Sequence, residues 1–312
     1  MLREVTGRFK NRTNRTGPDQ IRPDKSRPDK RRPDNKRVKT RGKCGPVSRW
    51  FCLAGLSVVM LLCVSACSTA VSYPVAEESS TRYQRTVSNN KSRHGCYYKT
   101  VYRQPHQSTV SFTVVLGHGF LRSQRYLHNL AIAIASAGVP VATLDFCNMK
   151  PWNGHHRRNA ADMIAVASQL QADKVLYAGF SAGALAAVLA GAGDDRVQGL
   201  LLLDYVDQPP IGREALSNVT VPVYAIVGRP SGCNADGRDH AVLSSLSGVS
   251  VKRYAEASHC AFESPTNWVC NRICRADQAR DRQWRQSIIE HAVAAIDELS
   301  RTGSFPLSSD TE

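Results

Sequence analysis

The chain has 312 residues, with 41 Lys and Arg against 26 Asp and Glu and a formal net charge of +15. Residues 1–50 hold 17 Lys and Arg against 5 Asp and Glu, so +12 of the excess sits there and the rest of the chain carries +3. So balanced a body has no electrostatic reason to seek phosphate, which argues against nucleic acid as a partner, and its length suits one α/β domain with a sizeable core rather than two.

In chain order, residues 1–40 are expected to be a disordered basic extension. They contain a short repeat, Arg22-Pro23-Asp24-Lys25, Arg27-Pro28-Asp29-Lys30 and Arg32-Pro33-Asp34-Asn35, with almost nothing large and apolar to bury. Residues 41–66 read as a signal peptide: basic Arg41, Lys43 and Arg49 precede the apolar run from Phe51 to Val64. That run is short for a membrane span, which needs about 20 apolar residues. Val64-Ser65-Ala66-Cys67 then resembles a bacterial lipobox. The resemblance implies cleavage before Cys67, lipidation of Cys67, and a lipid-anchored protein of the bacterial cell envelope. Ser68, where Asp commonly retains lipoproteins in the inner membrane, favours the outer membrane. Because a signal normally opens a chain, translation is expected to begin near Val38; peptides from residues 1–37 in cells would contradict this. Residues 67–94, rich in Ser, Thr, Glu and Asn, are expected to be a tether. The folded domain is placed at 95–302 and a disordered tail at 303–312.

Cleavage would remove Cys44, Cys52 and Cys63, and with Cys67 lipidated six cysteines remain: Cys96, Cys147, Cys233, Cys260, Cys270 and Cys274. An even set in an exported chain suggests disulfides, whose pairing the spacing leaves open. There is no CxxC pair and no close Cys/His quartet, so no metal site is expected.

Within the domain, short β-branched runs alternate with helical stretches, the pattern of parallel strands joined by crossover helices. Strands are expected at Thr100–Arg103, Val110–Leu116, Val139–Asp145, Lys174–Ala178, Gly199–Leu203, Val221–Val227 and Ser250–Tyr254. Helices are expected at Gln124–Ala137, Asn159–Gln171, Ala182–Ala192 and Gln278–Leu299, the last on the helical spacing of Ile288, Ile289, Val293 and Ile296.

The decisive stretch runs from Lys174 through Gly179-Phe180-Ser181-Ala182-Gly183 into an Ala/Leu-rich segment. A strand entering GxSxG and leaving as a helix is the context of a nucleophile elbow, with Ser181 held strained and exposed. Upstream, the Thr113–Leu116 strand ends in Gly117-His118-Gly119-Phe120. The amide of Phe120, with that of Ala182, is a candidate oxyanion hole, and His118 is read as shaping the loop. Downstream, His259 follows the last expected strand, where the base belongs in Ser-acid-His order. A serine hydroxyl is a weak nucleophile and needs an imidazole within hydrogen-bond reach.

Together these motifs resemble the α/β-hydrolase superfamily, over about Thr100 to Leu299. The resemblance implies a three-layer α/β-hydrolase fold, a mostly parallel twisted sheet flanked by helices on both faces. Asp204, ending Leu201-Leu202-Leu203-Asp204, resembles the Asp-Pro-Val of chlorophyllase-like and dienelactone-hydrolase-like members, with Tyr205 where Pro is usual. That makes Asp204 the favoured triad acid, because it ends a long apolar strand directly. Asp236, in the Gly/Ser/Asn-rich loop after the next strand, is the alternative acid, and Asp207 a third. Disulfides near Cys260, Cys270 and Cys274 are expected to brace the His259 loop, with Cys233 as a candidate partner. Phe146–Arg158, with Trp152, His155 and His156, should project from the carboxyl end of a strand and could line a pocket.

The expected activity is hydrolysis of a small-molecule or lipid-like ester through Ser181, His259 and an Asp, with no cofactor. A non-catalytic envelope ligand-binding protein on the same fold, or an amidase or peptidase, stands as the alternative.

Overall fold

A computed structural model of the chain describes residues 81–307. The basic extension, the signal segment, Cys67 and residues 308–312 lie outside the described residues.

Eight strands form one sheet: β1 (Tyr83–Lys91), β2 (Tyr97–Pro105), β3 (Thr113–Gly117), β4 (Val141–Leu144), β5 (Val175–Phe180), β6 (Val197–Leu203), β7 (Val223–Val227) and β8 (Val249–Arg253). Their order is β1-β2-β4-β3-β5-β6-β7-β8. β1 pairs antiparallel with β2 and β2 with β4, and all other pairings are parallel. The helices are α1 (His128–Ser136), α2 (His156–Gln169), α3 (Ala182–Gly191), α4 (Ile211–Leu216), α5 (Arg238–Ser245), α6 (Trp268–Ile273) and α7 (Gln278–Thr302).

β3 to β7 read as nearly unbroken apolar runs because the parallel sheet is covered on both faces. On one face α1 and α7 contribute Leu130, Ile134, Ile288, Ile296 and Leu299 to a core with Leu116, Leu176 and Leu201. On the other, α2 to α5 close over Val115, Tyr177, Leu200 and Leu202 with Met163, Leu185, Leu216 and Leu243. α3 is buried on nearly every side, and its Ala and Gly content lets it lie close to β5. No helix among the described residues is long and apolar enough to cross a membrane.

The seven expected strands are present, with ends shifted by a few residues, and the four expected helices are α1 with its preceding 3-10 turn, α2, α3 and α7. Two expectations need correction. The tether does not extend to residue 94, because Tyr83–Lys91 is edge strand β1. Its side chains are mostly exposed, so it shows no apolar alternation in sequence. The tail is not free from 303: Phe305 is buried and stacks on Tyr224 with ring centroids 5.5 Å apart. The short helices α4, α5 and α6 went unread because six to eight residues hold about two turns, too few to establish a period.

Candidate active site

Ser181 sits between the end of β5 and the first residue of α3, at φ 56° and ψ −121°. A non-glycine residue in this region is strained, and the surroundings hold it there. Its amide continues the sheet by donating to the Leu203 carbonyl at 2.9 Å, while its own carbonyl accepts from Ala184 at 3.0 Å. The two motif glycines are where backbones cross. A Cβ on Gly179 would lie 2.2 Å from the Gly183 carbonyl oxygen, and one on Gly183 would lie 2.3 Å from that of Gly117. Any side chain at either position pushes the elbow away from α3 or β3.

The other partners come from loops at the carboxyl ends of neighbouring strands. His259 opens a 3-10 turn, His259–Phe262, beyond β8, and its Nε2 lies 3.1 Å from Ser181 Oγ. Its Nδ1 lies 2.6 Å from Oδ2 of Asp204, which follows β6 and is fully buried. With Nδ1 donating to the carboxylate, Nε2 is left to face the hydroxyl. The ring of Phe180 packs on the imidazole at 4.6 Å and limits its rotation.

Asp204 is itself well held. The Gly228 amide donates to Oδ1 at 2.9 Å, and Asn234 Nδ2 donates to Oδ2 at 3.1 Å. A second imidazole, that of buried His240, brings Nε2 to 3.1 Å from Oδ1, off the line of a hydrogen bond. Burial by itself would raise the Asp204 pKa, but the contacts and charges of His240 and His259 outweigh it and hold the carboxyl well below the usual carboxylate range.

Asp236 is not part of this chain of contacts: it is exposed, at φ 54°, in the 3-10 segment Gly232–Gly237. The same loop instead sends Asn234 inward to Asp204. Asp207 accepts from the amides of Gly212 and Arg213 and so holds the start of α4. His118 is buried, with Nδ1 donating to the Gly119 carbonyl and Nε2 accepting from the Phe146 amide, and thus ties the loop after β3 to the loop after β4. Burial pushes its pKa down to about 4, keeping it neutral for both bonds.

The His259 loop has its own supports. Ser258 donates its amide and hydroxyl to Asp281 of α7, at 3.0 and 2.5 Å. Disulfides Cys260–Cys270 and Cys233–Cys274 fasten the loop to α6 and to the Asn234 segment, while Cys96–Cys147 joins the β1–β2 turn to the loop after β4. The expected bracing by Cys233 therefore corresponds to a bond with Cys274. Arg122 reaches from the β3 loop to form two 2.5 Å contacts with buried Glu263. Asn234, His240, Asp281 and the Arg122–Glu263 pair carry no motif in sequence; only their place in the fold brings them to the site.

Ser181 stands between two clefts. One, of about 490 Å³, is lined by Trp152, Asn153, His156 and Gln208 among others. The second, of about 330 Å³, is more apolar and is lined by Leu121, Phe180, Val269 and Ile273. Phe120 and Cys233 border both, and these volumes are those of small-molecule sites. The segment after β4 thus lines a cleft, through Trp152 and His156, and His155 is not among the lining residues.

Solved structures share this architecture. They include a serine hydrolase homologue from Coxiella burnetii, with TM-score 0.50 and 16% identity over 70% of this chain and 99% of that one. A ferulic acid esterase from Streptomyces cinnamoneus gives TM-score 0.54 and 17% identity, covering 76% and 96%. Brefeldin A esterase, a bacterial homologue of human hormone-sensitive lipase, gives 0.50 and 11%, covering 82% and 89%. The chain has the α/β-hydrolase fold. At these identities the likeness to other α/β-hydrolase folds is one of fold alone. No protein-family model matches the chain. A Mycobacterium tuberculosis protein bearing the name of a phosphoribosyl transferase, in strains CDC 1551 and H37Rv, is 32% identical over 143 residues, 42% of this chain. The stretch is 30% of that relative's length, so the name describes a protein of which this chain spans under a third.

Proposed function

We propose that the chain is a serine hydrolase that cleaves carboxylic esters through an acyl-enzyme. The observation that carries this is the continuous line from Ser181 Oγ to His259 Nε2 at 3.1 Å and from His259 Nδ1 to Asp204 at 2.6 Å, with the serine on a strained strand-to-helix turn beside two clefts. The fold it shares with the esterases named above agrees with it.

In this mechanism Ser181 Oγ attacks the ester carbonyl carbon as its proton passes to His259 Nε2. The oxyanion is received by the amides of Phe120 and Ala182, the latter opening α3, where the helix dipole favours negative charge. Expulsion of the alcohol takes the proton back from His259 and leaves the acyl group on Ser181. Water, deprotonated by His259, then attacks the acyl carbonyl and releases the acid and free Ser181. Asp204 keeps Nδ1 protonated and stabilises the imidazolium at each transfer. The two clefts would separate the acyl and alcohol portions.

The test is steady-state hydrolysis of short-chain p-nitrophenyl esters. We expect Ser181→Ala to lose activity by about 10⁶-fold and Asp204→Asn to lose about 10⁴-fold in kcat. Asp236→Asn should match the wild type, and a matched anilide should turn over more slowly than its ester. Wild type and Ser181→Ala equally inert across a broad ester panel would overturn the proposal. On the lipobox resemblance alone, we also propose that the protein is anchored in the envelope through Cys67; failure of Cys67 to incorporate labelled palmitate would refute it.

A further inference from the structure

Eight large apolar side chains stand exposed among the described residues, and five of them, Phe120, Leu121, Trp152, Trp268 and Ile273, lie on the rim of the two clefts beside Ser181 or on α6, which forms one wall. The other three are scattered: Val87 and Tyr97 on the β1–β2 hairpin, and Leu307 at the end of the described chain. Trp152 and Trp268 are 82% and 69% exposed. Single exposed apolar residues need no explanation, but a ring of them round one opening marks a surface that meets something apolar.

The charge of the same rim says what that something is. Segments 118–125, 147–158 and 263–275 contain a single acid, Glu263, and it is buried against Arg122. They expose Arg125, Lys150, Arg157, Arg158, Arg272 and Arg275, and none of these joins an ion pair among the described residues. On the remaining sides, 229–238 sets Asp236 among Arg229 and Arg238, and 206–208 adds one acid, Asp207, whose carboxylate is held by the Gly212 and Arg213 amides, so the balance stays positive. Tryptophan interleaved with arginine suits the headgroup level of a lipid layer, where the indole rests at the boundary and the cation meets lipid phosphate. A neutral polymer surface would leave the six cations without a complement.

We infer that the mouth of the clefts docks on an anionic lipid surface, so that the ester reaching Ser181 is an amphiphile delivered from that layer. This rests on the hydrolase reading for its substrate, and on the rim alone for the docking.

The experiment uses the full chain and its variants, so that any contribution of residues 1–80 is common to all. A long-chain p-nitrophenyl ester is presented in vesicles of phosphatidylcholine, or of equal parts phosphatidylcholine and phosphatidylglycerol, and a short-chain ester in solution. The wild type should hydrolyse the vesicle-borne ester roughly tenfold faster on the anionic vesicles, with the advantage falling in high salt. The triple variant Trp268→Ser, Arg272→Ser, Arg275→Ser should lose most of that advantage and keep its rate on the soluble ester. A vesicle advantage unchanged in the variant, or a wild type no faster on anionic than on neutral vesicles, would overturn the docking and leave the hydrolase reading intact. If no ester is cleaved, docking is read by brominated phosphatidylglycerol: quenching of wild-type tryptophan fluorescence above that of Trp268→Phe supports it, and equal quenching overturns it.

Discussion

At the scale of single residues, the site is a set of polar groups kept in fixed protonation states by what surrounds them. His118 is the clearest case outside the relay, since it must be neutral to donate to Gly119 and accept from Phe146 at once. Its folded-state pKa of about 4 lies below the ordinary value near 6.5, so the unfolded chain takes up a proton that the folded chain refuses as pH falls through that window. Its contribution is intact above about pH 6.5 and should be lost progressively down to pH 4, on the order of 3 kcal/mol in all. Urea unfolding of the wild type and of His118→Gln between pH 7 and pH 4 should show a flatter pH slope in the variant; parallel slopes would mean that His118 titrates normally. Ser181 and His259 were legible because their chemistry is tied to a local pattern or a chain address. The choice of Asp204 over Asp236 was less so, for both follow strands that end near His259, and what separates them is which side chain Gly228, Asn234 and His240 converge on.

At the scale of elements, the sheet and its long helices were readable from periodicity, and the connections that hold the site were not. The 259–274 segment packs a 3-10 turn, α6, one whole disulfide and one end of a second into sixteen residues, a fold imposed by cross-links rather than by pattern. Closing a longer loop removes more entropy from the unfolded chain, so Cys233–Cys274, spanning 41 residues, should stabilise by about 4 kcal/mol and Cys260–Cys270, spanning 10, by about 3 kcal/mol. Thermal melts of Cys233→Ala/Cys274→Ala and Cys260→Ala/Cys270→Ala should show the first falling further. The second should lower kcat more, because its bridge starts at the residue after His259. Identical stability and unchanged kcat in both pairs would show that the loop is held by Ser258, Asp281 and Glu263 alone.

At the scale of the whole molecule, the strand order brings the six segments that follow β3 to β8 to one end of the sheet, and everything assigned to chemistry or docking lies there. Ser181 after β5, Asp204 after β6 and His259 after β8 are far apart in sequence and meet because parallel strands deliver their carboxyl ends to one edge. The central claim is that this meeting activates Ser181 as a nucleophile. Treatment of the chain with a fluorophosphonate, followed by peptide mass spectrometry, tests it without knowledge of the substrate. One adduct is expected, on Ser181, absent in Ser181→Ala and formed far more slowly in His259→Ala. No adduct on the folded wild-type protein, or labelling of Ser181 as fast without His259 as with it, would contradict it.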